Sequence, residues 1–382
     1  MESKKRKISW IGYGLRALNW IAIISIIIAY FSRYISPNTL WFPAFFGLAY
    51  PIIFLVNLYF VFHWLLFRRW FVIYPLIAIA IGFSLPAKYI GFGSNVEYTD
   101  KDNSFKIMTY NVHDFDYYSH TYSQGNDALN IIFQHIKKEN PDVVCFQEFY
   151  SNPIKSDKNN FRKFRKESDY KYVTRYKYNN RSSYLFLVIY SKFPIINDGF
   201  VNNAPGNKDI TGVYSDIKFN KSIIRIYNVH LNSTQISSES YLIQENYNVT
   251  KKEDVKKAAS GAKKIAGRMR AGYRKRALQA EMLKKHIASS PYPVVLAGDF
   301  NDTPCSYSYQ EISTELTDVF IESGKGFSTT YAGVYPSFRI DFIFHDKYFR
   351  SHSYQRVKVK ASDHYPIQAV MILNKGGVQD EK

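Results

Sequence analysis

The first ninety residues differ from the rest of the chain in their pattern of hydrophobic and polar positions. Three almost uninterrupted apolar runs cover residues 18–34, 40–67 and 70–85, with hardly any polar face. Each run is close to the ~20 residues that cross a bilayer as a helix. The tryptophans lie near the ends of these runs, where membrane-interface aromatics are common. We therefore predict that residues 1–90 form a membrane anchor of about three transmembrane helices.

Basic residues around these runs predict how the anchor is oriented. A cluster occupies positions 4–7, Arg68 and Arg69 separate the second run from the third, and Arg33 is the one basic residue between the first two. Because basic loops tend to stay in the cytoplasm, the N-terminus and the Arg68–Arg69 turn are expected there. Three crossings then place the remainder of the chain outside the cytoplasm, whereas two crossings would reverse this orientation.

After a polar linker over residues 91–103, short apolar runs alternate with amphipathic stretches, which is typical of an α/β domain. We assign residues 104–374 to this domain and residues 375–382 to a disordered tail. Successive strands predicted between residues 184 and 229 read as an antiparallel meander. Amphipathic helices are predicted over residues 126–138 and 276–287. The remaining predicted strands cover residues 105–110, 143–146, 293–297, 339–344 and 367–373.

Positive charge is concentrated in an insertion over residues 233–271, which is rich in Lys, Ala and Gly. The insertion is either a solvated charged helix or a basic arm that lies on anionic lipid. The net charge of +18 suggests an acidic partner such as phosphate, nucleic acid or anionic lipid. The two cysteines provide neither zinc-ligand spacing nor a disulfide framework, and Cys145 reads as a small core residue.

The segment PVVLAGDFNDTP, residues 293–304, carries the strongest local indication of chemistry. A short apolar strand delivers Asp299 and Asn301, two residues apart, to the end of the strand. A carboxylate can bind a metal or a water, and an amide can orient a substrate. Gly298 would let the backbone approach a ligand. An Asx turn after a strand explains the same residues, so this motif alone leaves both interpretations open.

Other polar residues also follow predicted strands: Asn111, Glu148, His230, and Asp363 with His364. Each has a plain explanation as a turn residue, a solvated strand end or a surface histidine. Asp341 lies among apolar neighbours and needs a partner, for which His230 and His364 are both available. Because six separate strands contribute such residues, we predict that they meet in one active site at a sheet edge.

Seven ordered motifs make the sequence similar to a known superfamily. The chain resembles the endonuclease/exonuclease/phosphatase superfamily, which has the DNase I-like fold, and its hydrophobic front end resembles a bacterial branch anchored in the inner membrane. The resemblance implies a four-layer α/β sandwich of two packed β-sheets flanked by helices, with the site at one edge. The motifs are MTYNVH (108–113), VVCFQE (143–148), YSKFPI (190–195), YNVHLN (227–232), LAGDFNDTP (296–304), RIDFIF (339–344) and SDHYPI (362–367).

The resemblance also implies hydrolysis of a phosphoester with Mg²⁺ or Mn²⁺, and it suggests a role for each residue. Glu148 would be the main metal ligand, helped by Asn111 and Asp363. Asp299 and His364 would activate water, and Asn301 would orient the water or a phosphate oxygen. His230 would stabilise charge on the phosphorus centre or protonate the leaving oxygen. Asp341 would fix the tautomer of one histidine.

Three functions are compared on this basis. The first is a membrane-anchored phosphodiesterase or phosphatase acting near the bilayer, for example on a lipid headgroup or a small phosphoester. The second is a nuclease that acts on DNA or RNA outside the cytoplasm, for which the positive charge speaks. A non-catalytic binding module is disfavoured, because none of the matched catalytic positions is substituted. No protein partner is predicted.

Overall fold

The computed structural model describes residues 10–67, 69–93, 102–116, 126–152, 154, 158–178, 184–202, 210–234, 252–333 and 338–374. Two compact units emerge, and each is described by itself. The N-terminal unit comprises Met1–Pro86 with Cys305–Tyr307, and the second unit comprises Ala87–Pro304 with Ser308–Lys382.

The N-terminal unit is helical, but it differs from the predicted anchor. Its helices are α1 (Trp10–Ser32), α2 (Pro43–Leu48), α3 (Tyr50–Leu66) and, after a 3-10 turn, α4 (Ile73–Ile81). Among the described residues, α1 is the one helix long and apolar enough to cross a membrane. The prediction of about three transmembrane helices is therefore wrong. The second apolar run is divided where Ala49 leaves helical geometry, and Gly82 ends α4 early.

Polar side chains join α1 to α3 inside this unit. The Trp64 indole nitrogen donates to Asn19 Oδ1 at 2.7 Å, and Asn57 Nδ2 donates to the Ala22 carbonyl at 3.0 Å. Asn19 and Asn57 are fully buried. Interhelical hydrogen bonds of this kind hold helices together where the surroundings are apolar. The outer faces meanwhile expose large apolar side chains, including Trp10, Ile21, Leu66 and Trp70.

The second unit contains two six-stranded mixed sheets. In the first sheet the order is β10-β12-β9-β8-β7-β6, and in the second it is β13-β14-β2-β3-β5-β4. A separate ribbon pairs β1 with β11. The strands are β1 (Ile90–Phe92), β2 (Ser104–Asn111), β3 (Val143–Tyr150), β4 (Tyr172–Lys177), β5 (Leu185–Ser191), β6 (Ile195–Asn202), β7 (Ile210–Phe219), β8 (Ser222–His230), β9 (Val294–Asp299), β10 (Thr317–Asp318), β11 (Lys325–Phe327), β12 (Asp341–His345), β13 (Phe349–Arg356) and β14 (Ile367–Leu373).

Helices cover the outer faces of both sheets, which confirms the predicted α/β sandwich. One apolar cluster lies between the sheets and includes Ile107, Cys145, Val213 and Ala297. A second cluster joins the second sheet to two helices, and a third joins the first sheet to two others. These helices are α5 (Asn126–Glu139) and α6 (Asn160–Glu167), then α7 (Lys252–Ala288) and α8 (Tyr307–Ser313), and the short helix α9 (Val319–Ser323) follows β10.

Parallel strand pairs bring the predicted strand ends to one edge. In the pair β2 and β3, Asn111 lies opposite Gln147, and in the pair β8 and β9, His230 lies opposite Asp299. Strand β12 is antiparallel to β9 and begins at Asp341, which also lies opposite Asp299. Because parallel strands end at the same edge of a sheet, residues far apart in sequence become neighbours there.

Several sequence predictions need correction. The predicted meander is divided, because β5 pairs with β3 and β4 in the second sheet, while β6, β7 and β8 lie in the first. Strand β4 (Tyr172–Lys177) was not among the strands predicted from the sequence. Both inner sheet faces are apolar, so hydrophobic spacing does not reveal which sheet a strand joins. The expected linker contains part of β1, and α7 spans the end of the insertion and the predicted helix after it.

The sequence also gave predictions for the insertion, the tail and the cysteines. Residues 235–251 of the insertion and the tail over residues 375–382 lie outside the described residues. Both cysteines are described, both are buried, and neither forms a disulfide. Cys145 lies in the apolar cluster between the sheets, as its sequence context predicted.

Candidate active site

Asp299 lies at the centre of the site, fully buried at the end of β9. It reaches this position because β9 approaches β8 very closely at Gly298. The backbone of Gly298 has φ +150°, and a Cβ there would lie 2.0 Å from the Val229 carbonyl oxygen. Glycine is therefore required for the contact between the two strands, whereas the sequence analysis expected it to admit a ligand.

Asn301 stabilises the turn that follows Asp299. Its backbone N–H donates to Asp299 Oδ1 at 2.7 Å, and its Nδ2 donates to the Leu231 carbonyl at 3.0 Å. The residue has φ 51°, a conformation that asparagine tolerates better than most residues. Asn301 thus orients the Asp299 carboxylate and links the turn to the segment after His230.

Asn111 connects Asp299 to Glu148. Its Nδ2 lies 2.9 Å from Asp299 Oδ2 and 3.4 Å from Glu148 Oε1, while its Oδ1 accepts from the His113 backbone N–H at 3.1 Å. These bonds identify which side of the amide faces the two carboxylates. Asn111 therefore acts as a donor that holds Asp299 and Glu148 in place.

A bulge in β3 turns Glu148 into the site. The pairing of β3 with β5 shifts between Phe146 and Phe149, and Glu148 itself has φ 53°. A β-bulge redirects one side chain without ending the strand. The neighbouring Phe149 stays fully buried, whereas the Glu148 side chain is 24% exposed.

His230 faces both carboxylates from the end of β8. Its Nε2 lies 3.6 Å from Glu148 Oε1 and 3.6 Å from Asp299 Oδ2. This nitrogen is buried and has no hydrogen-bond partner among the described residues. On the other side of the ring, Nδ1 lies 2.8 Å from the Tyr178 hydroxyl.

His364 also lies close to Asp299 Oδ2, the oxygen that His230 faces. Its Nδ1 lies 2.9 Å from Asp341 Oδ2, and its Nε2 lies 3.7 Å from Asp299 Oδ2. The pairing of Asp341, which the sequence left open between two histidines, is therefore with His364. Burial disfavours the charged ring, but Asp341 and Asp299 outweigh it, so the pKa of His364 is raised well above its usual value.

Asp299 is perturbed by the same surroundings. Burial raises the pKa of Asp299, and the Asp341 carboxylate adds to the effect, whereas His364, His230 and Asn111 act against it. One ligand atom each from Asp299, Asp341 and His364 lie within 4.8 Å of one another. Two acids and two histidines thus share a small, largely buried volume.

Asp363 lies at the edge of this group, with His113. Its Oδ1 is 4.0 Å from His364 Nε2 and 3.8 Å from His113 Nδ1. Burial disfavours the charged form of His113, but Asp363 and Glu148 outweigh it and raise the pKa. All eight residues predicted from the sequence therefore lie in one connected network.

Sequence reasoning missed two neighbours of the site. His113 belongs to the MTYNVH motif and follows Asn111 by two residues, so a signal was available. Tyr178 gave no signal, because it lies just after β4, a strand that the sequence analysis did not predict.

Arg276, on α7, stabilises two turns next to the site. The side chain is almost fully buried. Its Nε donates to Asp302 Oδ2 at 3.0 Å, and its Nη1 donates to the Asn232 carbonyl at 2.9 Å. Asn232 follows His230 by two residues and Asp302 follows Asn301, so one guanidinium ties together the turns after β8 and β9.

Comparison with known proteins identifies both parts of the chain at the level of families. The Endonuclease/Exonuclease/phosphatase family matches residues 108–364, and a domain of unknown function, DUF8431, matches residues 9–89. No curated protein sequence is significantly similar to the chain.

Solved structures show the same fold at low sequence identity. An endonuclease/exonuclease/phosphatase from Bacteroides vulgatus has a TM-score of 0.53 and 17% identity, and the match covers 71% of this chain and 99% of that one. A functionally unknown conserved protein from Enterococcus faecalis V583 has a TM-score of 0.51 and 16% identity, with 70% and 100% covered. The family match includes all of the residues gathered around Asp299. The chain therefore belongs to the endonuclease/exonuclease/phosphatase family, whose members are generally hydrolytic phosphoesterases.

Proposed function

We propose that this chain is a membrane-anchored phosphoesterase that depends on a divalent cation and hydrolyses a phosphodiester or phosphomonoester. The observation that carries the proposal is the placement of His230 Nε2 and His364 Nε2 at 3.6 and 3.7 Å from the same Asp299 oxygen. Such a site can bring an acid, a base and charge-stabilising donors to one reacting phosphorus atom.

The donor set fits a hard cation. Four carboxylates, Glu148, Asp299, Asp341 and Asp363, lie in the network, and burial makes their unbalanced negative charge costly. Glu148 is the partly exposed one, so its oxygens can reach a hydrated ion. Oxygen ligands with retained water suit Mg²⁺ or Mn²⁺.

Within this proposal, Glu148 would hold the ion, with Asp363 as a further ligand. Asn111 would contribute its oxygen only after its side chain turns, since its nitrogen now faces Glu148 and Asp299. The bound ion would supply positive charge that polarises the phosphoryl group.

The remaining residues divide the proton chemistry. Asp299 has a raised pKa, which suits a base that takes a proton from water, and Asn301 holds its carboxylate in position. His364 is the better candidate for a positive charge or an acid, because Asp341 favours its protonated form. His230 would direct its Nε2 at a phosphate oxygen or the leaving group.

Helix α1 supports the membrane part of the proposal. It is 23 residues long, and the N-terminal unit exposes apolar side chains on several helices. A contiguous apolar surface of this kind suits lipid better than water. We propose that the unit anchors the enzyme in a bacterial inner membrane, with the catalytic unit outside the cytoplasm.

Helix α7 supports a lipid or nucleic-acid partner. Lys263, Lys264 and Lys275 are exposed, whereas Tyr273 and Ala277 on the other side are buried. A basic helical face beside a membrane attracts anionic lipid, with about 1 kcal/mol for each cation near the surface. The same cations would suit DNA or RNA, so a nuclease outside the cytoplasm remains the second candidate.

A substrate panel tests the reaction and separates these candidates. The full chain in detergent receives bis-nitrophenyl phosphate, sphingomyelin, phosphatidylinositol, plasmid DNA and RNA, each with Mg²⁺ and with EDTA. We expect hydrolysis that EDTA abolishes. Lipid turnover alone supports the lipid substrate, whereas DNA or RNA cleavage at low protein concentration supports the nuclease.

Glu148→Gln is the decisive variant for the metal assignment. It keeps the shape of the side chain and removes its charge, so we expect activity to fall about 100-fold or more, because weaker changes around metal ligands already cost 10–100-fold. Glu139→Gln, on α5, is a matched control. Full activity in Glu148→Gln would overturn the metal assignment.

A further inference from the structure

The ribbon of β1 and β11 has two different faces. In its register Ile90 lies opposite Phe327, Gly91 opposite Gly326, and Phe92 opposite Lys325. Paired residues on neighbouring strands project to the same side, and so do residues two apart. One face is therefore formed by the two glycines, and the other by Ile90, Phe92, Lys325 and Phe327.

On the glycine face, Gly91 packs against the turn that precedes β11, whereas Gly326 is exposed. Gly91 is buried, and a Cβ there would lie 2.3 Å from the Gly324 carbonyl oxygen. No larger residue fits at Gly91 without moving the ribbon away. The other face is therefore held outward, with Phe92 81% exposed and Phe327 70% exposed.

Only a short stretch of chain separates this ribbon from the last helix of the N-terminal unit. Helix α4 ends at Ile81, and β1 begins nine residues later at Ile90. At about 3.3–3.6 Å for each residue, the link spans at most ~30 Å. Two exposed phenylalanines beside a lysine have the composition of a segment that lies at the boundary of headgroups and acyl chains.

We propose that the outer face of the β1–β11 ribbon rests in the headgroup region of the membrane, with Phe92 and Phe327 inserted and Lys325 on anionic lipid. The contact would limit how the catalytic unit tilts over the bilayer. This inference rests on the membrane anchoring in the proposed function.

Spin labels on the full chain in phosphatidylethanolamine and phosphatidylglycerol vesicles test the contact. Phe327→Cys carries the ribbon label, and Phe200→Cys, on the edge strand β6 and 44% exposed, is the matched control. Ile24→Cys in α1 reports the anchor. The unsubstituted chain, whose cysteines are buried, is the labelling blank. Collision with oxygen and with a water-soluble nickel chelate is measured by power saturation.

We expect the Phe327 label to collide mainly with oxygen and the Phe200 label mainly with the nickel chelate. If the Ile24 label lies in lipid while the Phe327 label behaves like the Phe200 label, the ribbon contact is overturned and the anchor stands. If neither lies in lipid, the anchoring fails as well. Spin–spin broadening at Phe327 that disappears on dilution with unlabelled chain would show a second copy on this face and would also overturn the lipid contact.

A separate observation concerns the tautomer of His230. Tyr178 lies 2.8 Å from His230 Nδ1, and its oxygen also interacts with the Glu148 backbone N–H. An oxygen that already accepts from an N–H directs its own proton elsewhere, and Nδ1 is placed to accept it. The neutral ring then carries its proton on Nε2, the buried nitrogen that has no hydrogen-bond partner among the described residues.

We infer that Tyr178 is a positioning residue that holds His230 as an Nε2–H donor aimed at the phosphate. His364 is arranged the other way, because its Nδ1 must carry a proton to bond with Asp341. This assignment deepens the proposed function, but it can be read on the metal-free protein without any substrate.

Nitrogen-15 NMR of the imidazole rings in EDTA tests the inference. We expect His230, assigned by its loss in His230→Gln, to be protonated on Nε2, and Tyr178→Phe to shift it towards the Nδ1–H form. Tyr176→Phe, on the same strand edge, should change nothing. With substrate and Mg²⁺, Tyr178→Phe should lower kcat about 10-fold with little change in KM. An Nδ1–H ring in the unsubstituted chain, or an unchanged tautomer in Tyr178→Phe, would overturn the inference.

Discussion

The two histidines of the site are held by chemically different partners. His364 is backed by the Asp341 carboxylate, whereas His230 is backed by the Tyr178 phenol. Both pairs also join the two sheets, because Asp341 and His230 belong to the first sheet and their partners lie beside strands of the second. The Asp341 carboxylate favours the protonated form of His364, whereas the Tyr178 hydroxyl is placed to donate to Nδ1 of His230. In the proposed mechanism the same residue type would therefore have two different roles, one as an acid or positive charge and one as a neutral donor.

The largest expected difference is between the activities of the variants His364→Gln and His230→Gln. His364→Gln removes both a charge and a transferable proton, and we expect kcat/KM to fall about 10²–10⁴-fold. His230→Gln keeps an N–H donor, so its loss should be nearer ~10-fold. Initial rates on bis-nitrophenyl phosphate at saturating Mg²⁺ measure both, with His352→Gln on the edge strand β13 as control. Equal losses in the two variants would contradict the division of roles.

Arg276→Met should destabilise the turns after β8 and β9, which follow His230 and Asp299. It leaves Asp302 buried without its cation, which costs about 3–5 kcal/mol of unfolding free energy. Burial already raises the pKa of Asp302 against the effect of Arg276. A carboxyl whose folded pKa lies above its unfolded value favours the protonated form, so the loss should be smaller at acidic pH and grow as pH rises.

Urea unfolding of the full chain at mildly acidic and mildly alkaline pH measures this destabilisation. The double variant Arg276→Met, Asp302→Asn removes the uncompensated charge and should recover much of the loss. The imidazole signals of His364 should stay unchanged in both variants. A pH-independent loss would argue against the buried charge as its cause.

Asp341→Asn should have a smaller effect, which is confined to the protonation of His364 and its contribution to stability. Because Asp341 helps to raise the pKa of His364, removing its charge should lower that pKa. A histidine whose pKa is raised by folding stabilises the fold at pH values below its unfolded pKa, and this stabilisation is lost as the pH rises through the folded pKa. Asp341→Asn should therefore also lose stability mainly at low pH. An NMR titration in EDTA reports the pKa, and His230 should keep its tautomer. An unchanged His364 pKa would show that Asp341 does not set its charge.

Much of the fold and of the site follows from the sequence. Apolar runs that end abruptly at Asn111, His230 and Asp299 mark strand termini, because an apolar strand buried on both faces must stop where polar side chains begin. The sequence motifs contain all eight predicted site residues, and the structure brings these residues together in one network. Glu148, a predicted site residue, lies in this network, although β3 continues past it through a bulge rather than ending there.

Tertiary structure decided what local pattern cannot encode. The partner of Asp341, the contact of Tyr178 with His230, and the division of β5 from β6 all depend on how two apolar sheet faces pack, and hydrophobic periodicity is the same for both sheets. The number of helices able to cross a membrane also depended on breaks at Ala49 and Gly82, which composition does not show. Sequence determined which side chains reach the edge of a sheet, and packing of the two sheets determined which of them touch.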